Sequence, residues 1–417
     1  MEKSGKFRLT SLERNWILYD VGNSAFVLMV ATLIPIFFNA LAAAGGLSSV
    51  EYLAYWGYAS SAVTVITAVL SPILGTVADT KGFKKPIFIL CVFVGIVGCC
   101  AMGAASAWLP FLVIFVIAKV GFSGSLVFYD SMLSDVTTPE RMDEVSSRGY
   151  AWGYIGSCVP FVVCLGLVLG AGSIGISQMT ALNLALLLTA AWWLLTTLPL
   201  LKSYKQLYYV EVEKHAVRQS FARIGHTLRH LPEDKQVFWF LLAFFCYIDG
   251  VYTIIDMATA YGTALGLDTT GLLLALLVTQ IVAFPSALVF GRLSNKYPSA
   301  KLIPVCIAAY AGIAVFAFFL TRQWQFWVLA VIVGMFQGGV QALSRSHFAK
   351  IIPPEKSGEY FGLFDICGKG ASFLGTMIVS VGSQLTGSAN VGVGSLIVLF
   401  IVGFVLFRVS CRQGETA

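Results

Sequence analysis

The stretch GTVADTKGFKK, Gly75 to Lys85, lies between apolar runs centred near positions 65 and 96, and its reading decides how the chain is organised. Gly75 permits close approach of two helices, Asp79 can cap or pair with a neighbouring helix end, and Gly82 permits a tight turn. Lys81, Lys84 and Lys85 place this loop on the cytoplasmic side of a membrane. Gly75, Asp79, Gly82, Lys84 and Lys85 are therefore expected to serve conformational switching at a rim, away from any solute.

Outward from this loop the chain is apolar. Of 417 residues, 58% are hydrophobic and 12% charged, and the mean hydropathy is +0.82. Soluble domains have about 45–50% apolar and about 25% charged residues, so this is a polytopic membrane protein. Twelve apolar runs are centred near 30, 65, 96, 120, 160, 188, 250, 282, 310, 337, 372 and 399. Each run of about 20 residues is long enough to cross a hydrocarbon core, and the absence of period-2 alternation favours helices over a barrel. Met1–Arg14 has no cleavable site before a short apolar core and reads as a cytoplasmic tail. The inferred outer loops contain one basic residue, Arg322, so both termini are expected in the cytoplasm of a bacterial inner membrane. That bias accounts for the net charge of +6 without a nucleic acid partner. The nine cysteines show no disulfide or metal spacing, and no nucleophile–base pair or phosphate loop is present, so no cofactor, metal or enzymatic activity is expected.

Polar residues inside the spans mark a protein-facing or water-facing side. The first span, Trp16–Ala44, carries Asp20 and Asn23, with capping as the alternative role for Asp20. Lys119 lies near the middle of the fourth span, and Tyr129–Asp130 near its cytoplasmic end. In the seventh span Asp249 and Asp256 are seven apart with Tyr252 between, hence on nearly one face, and Gly250 suggests a broken helix. Gln337 and Gln341 belong to the tenth span. Asp365 and Lys369 are spaced for an ion pair in the eleventh, as a substrate element or a lock between helices. Asp20, Asn23, Lys119, Asp249, Tyr252, Asp256, Gln337, Gln341, Asp365 and Lys369 form the expected solute lining, with Arg345 able to join if it turns inward. Four carboxylates against two ammoniums favour a zwitterionic or cationic solute. All four histidines are placed outside the membrane, so proton handling would fall to Asp20, Asp249 or Asp256.

The chain also divides. Residues 1–201 and 236–417 form two six-helix bundles, joined by a cytoplasmic linker, 202–235, with an amphipathic helix carrying Val217, Phe221, Ile224, Leu228 and Leu231 on its apolar side. The halves echo one another: GRLSNKYPSAK (Gly291–Lys301) repeats the opening stretch with Asn295 where Asp79 stands, and Pro354-Glu355-Lys356 repeats Pro139-Glu140-Arg141. Such doubling is expected of a doubled six-helix fold.

GTVADTKGFKK resembles the signature loop of the major facilitator superfamily at its expected place after the second helix. A narrower resemblance covers most of the chain. YDVGNSAF, VFYDSMLSDV, YIDGVYTI and GGVQALSRSHFAKIIPPEKSGEYFGLFDICGKGASFLG look like the unknown-major-facilitator family, which includes the autophagy-related vacuolar amino-acid effluxers. The resemblance implies an all-α fold of twelve transmembrane helices in two pseudo-symmetric bundles and secondary transport of amino acids or similar small solutes by alternating access. The expected partners are a small-molecule solute, membrane lipid and protons, with the protein a monomer. Export of an amphipathic compound such as a lysolipid or drug, and a non-transporting membrane sensor, are the alternatives.

Overall fold

The apolar runs fold as helices in a computed structural model that describes residues 7–211, 225–227 and 229–416. Within that range the side chains of 49, 50, 53, 259, 260, 264, 269, 270, 273, 369–373, 415 and 416 are not described. The amphipathic pattern of the linker, with Val217, Phe221, Ile224 and Leu228, lies outside the described residues.

Twelve long helices are present among the described residues: α1 (Ser11–Ala44), α2 (Ser49–Ala78), α3 (Lys84–Ala104), α4 (Trp108–Ser131), α5 (Met142–Leu169), α6 (Gln178–Ser203), α7 (Lys235–Ala264), α8 (Thr269–Leu293), α9 (Ser299–Phe318), α10 (Gln323–Ile351), α11 (Ser357–Thr386) and α12 (Ile397–Thr416). Eleven of them contain, among the described residues, segments long and apolar enough to cross a membrane. Their starts follow local chemistry. Thr10 and Glu13 form a reciprocal capping box before α1, Ser48 and Glu51 do so before α2, and Asp234 and Asp268 cap α7 and α8. The first helix starts at Ser11, five residues before the expected Trp16, because that box nucleates it. It breaks at Thr32, where Pro35 cannot accommodate the Ala31 carbonyl of a regular helix.

The helices pack in two sets with matching partners. In the first set α1 lies against α5 and α6, α2 and α3 against α4, and α3 against α6; in the second, α7 lies against α11 and α12, α8 and α9 against α10, and α9 against α12. Each pairing recurs six helices later. The sets meet through α2 on α11 and, symmetrically, α8 on α5, with α5 also touching α10.

Those crossings are close because glycine permits them. A Cβ on Gly75 would run into the Gly358 carbonyl, one on Gly362 would lie 2.6 Å from Pro72 Cα, and one on Gly291 would lie 2.9 Å from Ser147 Cβ. Gly250 has a similar role and does not break α7, which runs unbroken past it: a Cβ there would lie 2.5 Å from the Phe400 ring. Gly82, at φ +80, makes the turn between α2 and α3.

The hydrogen bonds and ion pairs seen between the two sets lie toward the face that carries the linker. The outermost are Ser71 to Asp365 and Tyr154 to Gln341. The molecule is therefore closed at the linker face and parted at the opposite one. We expect Gly75→Val to force the linker face open. Labels introduced as unnatural amino acids at Phe83 and Tyr297, which are 41% and 52% exposed, should report a longer distance by electron paramagnetic resonance; an unchanged distance would show that the α2–α11 crossing is not required for closure.

Candidate functional site

From the open side, the space between the sets reaches the middle of the helices. Asp256 of α7 is exposed there, and Tyr252, one turn nearer the linker face, is partly exposed. Lys119, at mid-length in α4, sits with its ammonium 4.7 Å from the Phe122 ring centre and 5.9 Å from that of Phe26. Its field reaches Asp256 across the cavity. Opposite charges from the two halves thus face one space. Asp365 of α11 accepts from Ser71 of α2 at 2.7 Å at the cavity's inner limit. The Lys369 side chain is outside the described residues.

Below this space a cationic plug closes the path. Arg345 of α10 is 2% exposed. It donates to Asp130 Oδ1 at 3.0 Å, to Ser146 Oγ at 2.9 Å and to the Ser146 carbonyl at 3.0 Å, and its Nη1 is 3.7 Å from Asp20 Oδ2. The guanidinium lies against the Trp16, Tyr129 and Tyr150 rings, at 4.7, 5.4 and 4.3 Å from their centres. Tyr129 donates to Asp20 at 3.1 Å, and Trp16 donates to the Tyr129 carbonyl at 3.0 Å. One residue of the second half is therefore held by α1, α4 and α5 of the first.

Nearer the linker face lies the Gly75–Lys85 loop. Asp79 follows α2 and accepts from the Gly358 and Glu359 amides at 2.7 and 2.8 Å, capping the start of α11, whose own preceding residue Lys356 makes no side-chain cap. A carboxylate at a helix N-terminus is favoured by both the free amides and the dipole. Lys84 is fully buried, donating to Ser357 Oγ at 2.8 Å and Asp135 at 3.5 Å, with Asp79 at 3.8 Å. It is an internal counter-ion and not the surface charge expected from the loop's composition. Burial pushes the Asp79 carboxyl up to about 7, against the pull of Lys84 and the two amides. The linker clasps this loop. Asp135 accepts from the Leu207 and Tyr208 amides at 3.0 and 2.9 Å, Val210 donates to the Asp79 carbonyl at 2.8 Å, and Gln206 accepts from the Gly82 amide at 3.0 Å. Lys85 reaches the Tyr204 carbonyl at 3.4 Å. The repeat has its own version: Asn295 donates to Glu144 of α5 at 2.8 Å.

The lining expected as one surface thus divides. Lys119, Tyr252, Asp256 and Asp365 reach the cavity, whereas Asp20 and Gln341 belong to the closed layer, Gln341 accepting from Tyr154 at 2.7 Å. Asn23 is buried and donates to the Tyr19 carbonyl. Asp249 is fully buried, and both its oxygens accept the Gly375 amide at 2.9 Å, joining α7 to α11 within the second half. Gln337 is buried beside a small apolar chamber behind α7, shared with Thr253 and Thr279, and its Oε1 has no hydrogen-bond partner. His347, expected outside the membrane, is buried in α10 near its linker end, with Nδ1 3.2 Å from Ser299 Oγ. Asp130 is the residue missing from the sequence-based lining; its place beside Tyr129 near the end of an apolar span was the available signal.

A family model described as "Vacuole effluxer Atg22 like" matches residues 11–142 and 134–416. The chain belongs to that family. It is 42% identical over 414 residues to the uncharacterized MFS-type transporter YxiO of Bacillus subtilis, covering 98% of this chain and 97% of that one. It is 27% identical over 283 residues to autophagy-related protein 22 of Saccharomyces cerevisiae, covering 58% of this chain and 53% of the relative, so it spans about half the length of that fungal protein. Among solved structures, the human organic anion transporter MFSD10 superposes with a TM-score of 0.72 at 14% identity, covering 95% of this chain and 98% of that one. FucP in its outward conformation gives 0.71 at 16% identity, covering 96% and 97%. The chain is a multi-pass membrane transporter of the major facilitator fold.

In this family member, Asp79→Asn keeps one acceptor for two amides. Losing a charge-assisted hydrogen bond costs about 1.5–3 kcal/mol, so closure of the linker face should weaken by roughly tenfold or more. Transport rate should fall while solute affinity, measured calorimetrically, stays within a few-fold; complete loss of binding in folded protein would place Asp79 in the binding site.

Proposed function

We propose that this protein is a secondary active transporter of a small zwitterionic or cationic solute of amino-acid type, driven by protons. Rocking of residues 1–201 against 236–417 would expose the cavity to each side in turn. The observation that carries this reading is the pair of opposite charges facing one cavity from different halves: Lys119 from α4 and Asp256 from α7. A solute with a carboxylate for Lys119 and an ammonium for Asp256 would bridge the halves, so binding itself favours closure of the open side. Tyr252 adds an aromatic wall with a hydroxyl. The near absence of Lys and Arg from the opposite loops supports a cytoplasmic linker face in a bacterial inner membrane.

A second reading has its own observation. The chamber behind α7 is lined mainly by apolar side chains such as Ile254, Met257 and Leu329. An amphipathic compound would use that chamber, and the zwitterion would not need it.

Thermal-shift titration of the purified protein separates these readings, because a ligand of the native state raises apparent stability. Zwitterionic amino acids should stabilise it, while the amines and acids lacking one charge should do so weakly. Lys119→Met and Asp256→Asn should each weaken binding roughly 10- to 150-fold, the equivalent of about 1.5–3 kcal/mol per charged contact. Stabilisation by lysolipids alone, with both variants unaffected, would favour the amphipathic reading.

A further inference from the structure

The plug at Arg345 holds more negative charge than its cation balances. Two carboxylates of the first half, Asp20 and Asp130, flank one guanidinium of the second, at 3.7 and 3.0 Å. Gly149 allows this: a Cβ there would lie 2.9 Å from Asp20 Oδ2 and 3.1 Å from an Arg345 nitrogen. The surrounding groups are Trp16 of α1, Tyr129 of α4, Tyr150 of α5 and Tyr252 of α7. Asp365 of α11 acts on Asp130 from the cavity side. Lys350, at the end of α10, is engaged elsewhere, 2.6 Å from Asp143.

When the linker face opens, α10 must part from α4 and α5, and Arg345 must leave the pair. Two carboxylates would then share an apolar-walled site with no cation, an arrangement that like-charge repulsion and desolvation both disfavour. An arginine remains charged in either state, so the group that changes charge has to be a carboxylate. We infer that Asp20 and Asp130 form the proton-coupling site of the transporter, occupied alternately by the Arg345 guanidinium when the linker face is closed and by one proton when it is open. The balance is simple. In the closed state, two carboxylates and one guanidinium sum to −1; in the open state, the guanidinium has withdrawn and one proton from the adjoining aqueous phase has bound a carboxylate oxygen, leaving −1 on the first-half site. No covalent step or further reactant is involved. Asp130, the partner at 3.0 Å, is the new member of this site, and Arg345 is the positioning residue that expels its proton.

This inference rests on the transporter reading above, yet its test needs no solute. The distance between labels at Phe83 and Tyr297 is followed from pH 5 to pH 8 in the full-length protein without solute. Asp79 titrates in the opposite sense, since burial in the closed state favours its protonated form; it is common to all proteins compared, so the difference between wild type and variant is the measured quantity. The expected result is that acid populates the open linker face in wild type roughly tenfold more, per pH unit, than in Asp130→Asn, until the pair is protonated. Asp20→Asn should show the same loss, and Arg345→Ala should be open throughout. Identical pH responses in wild type and Asp130→Asn overturn the inference, as does opening by a simple alkylamine at fixed pH with no response to acid, which would make the pair a cation site for solute. Should Asp130→Asn not fold, Asp20→Asn supplies the same comparison. In proteoliposomes, Asp130→Asn should keep solute exchange and lose accumulation driven by a pH gradient. Absence of transport in wild type with the pH-dependent opening intact would refute the proposed function and leave the proton site standing.

Discussion

The crossing of α2 and α11 at Gly75 and Gly358 is the contact on which the closed linker face depends. With no Cβ on either residue the backbones meet, and only at that separation can the Asp79 carboxylate reach two amides of another half's helix. Those amides belong to the first turn of α11, where orphan donors are obligatory. The same residue holds the linker through its backbone carbonyl, which accepts from the Val210 amide. One short loop therefore joins three parts of the chain that are distant in sequence.

Closure also buries charge in two clusters of the same stoichiometry: Lys84 between Asp79 and Asp135, and Arg345 between Asp20 and Asp130. Buried ion pairs add little net stability, but removing one partner is strongly unfavourable, typically about 3–5 kcal/mol. The two clusters differ in how they part. Lys84 and both of its carboxylates lie on the first half, so they stay together when the halves separate; Lys84 loses Ser357 and Asp79 loses the Gly358 and Glu359 amides. Arg345 belongs to the other half and is withdrawn from its carboxylates. Only the second cluster is obliged to change its charge balance with conformation.

Much of this organisation was legible in the sequence. The spans, the repeat, the Gly82 turn and the placement of Asp79 at a neighbouring helix end all follow from local patterns of apolarity, glycine and capping, which act over a few residues. The inward turn of Arg345 did not, because its partners lie some 200 positions away, Asp130 among them, and only packing brings them together. Asp249 illustrates the same limit. Its spacing from Asp256 is correct for one face of α7, yet Gly375 lets α11 close over the first carboxylate, while the second remains open to the cavity. Helical periodicity gives direction around an axis; it does not say which neighbour stands there.

The two sides of the molecule are consequently held by different physics. The closed face is a dense layer of glycine contacts, capped amides and paired charge, held without a solute. The open face has few cross-half contacts and an exposed Asp256 opposite Lys119, so closing it requires something to bridge them. A zwitterion would supply there what Arg345 supplies below: a charge brought from one half to satisfy the other. The closed layer has to come apart as the open one is sealed, so the solute and Arg345 act on one equilibrium from its two ends, and each can influence the other without contact.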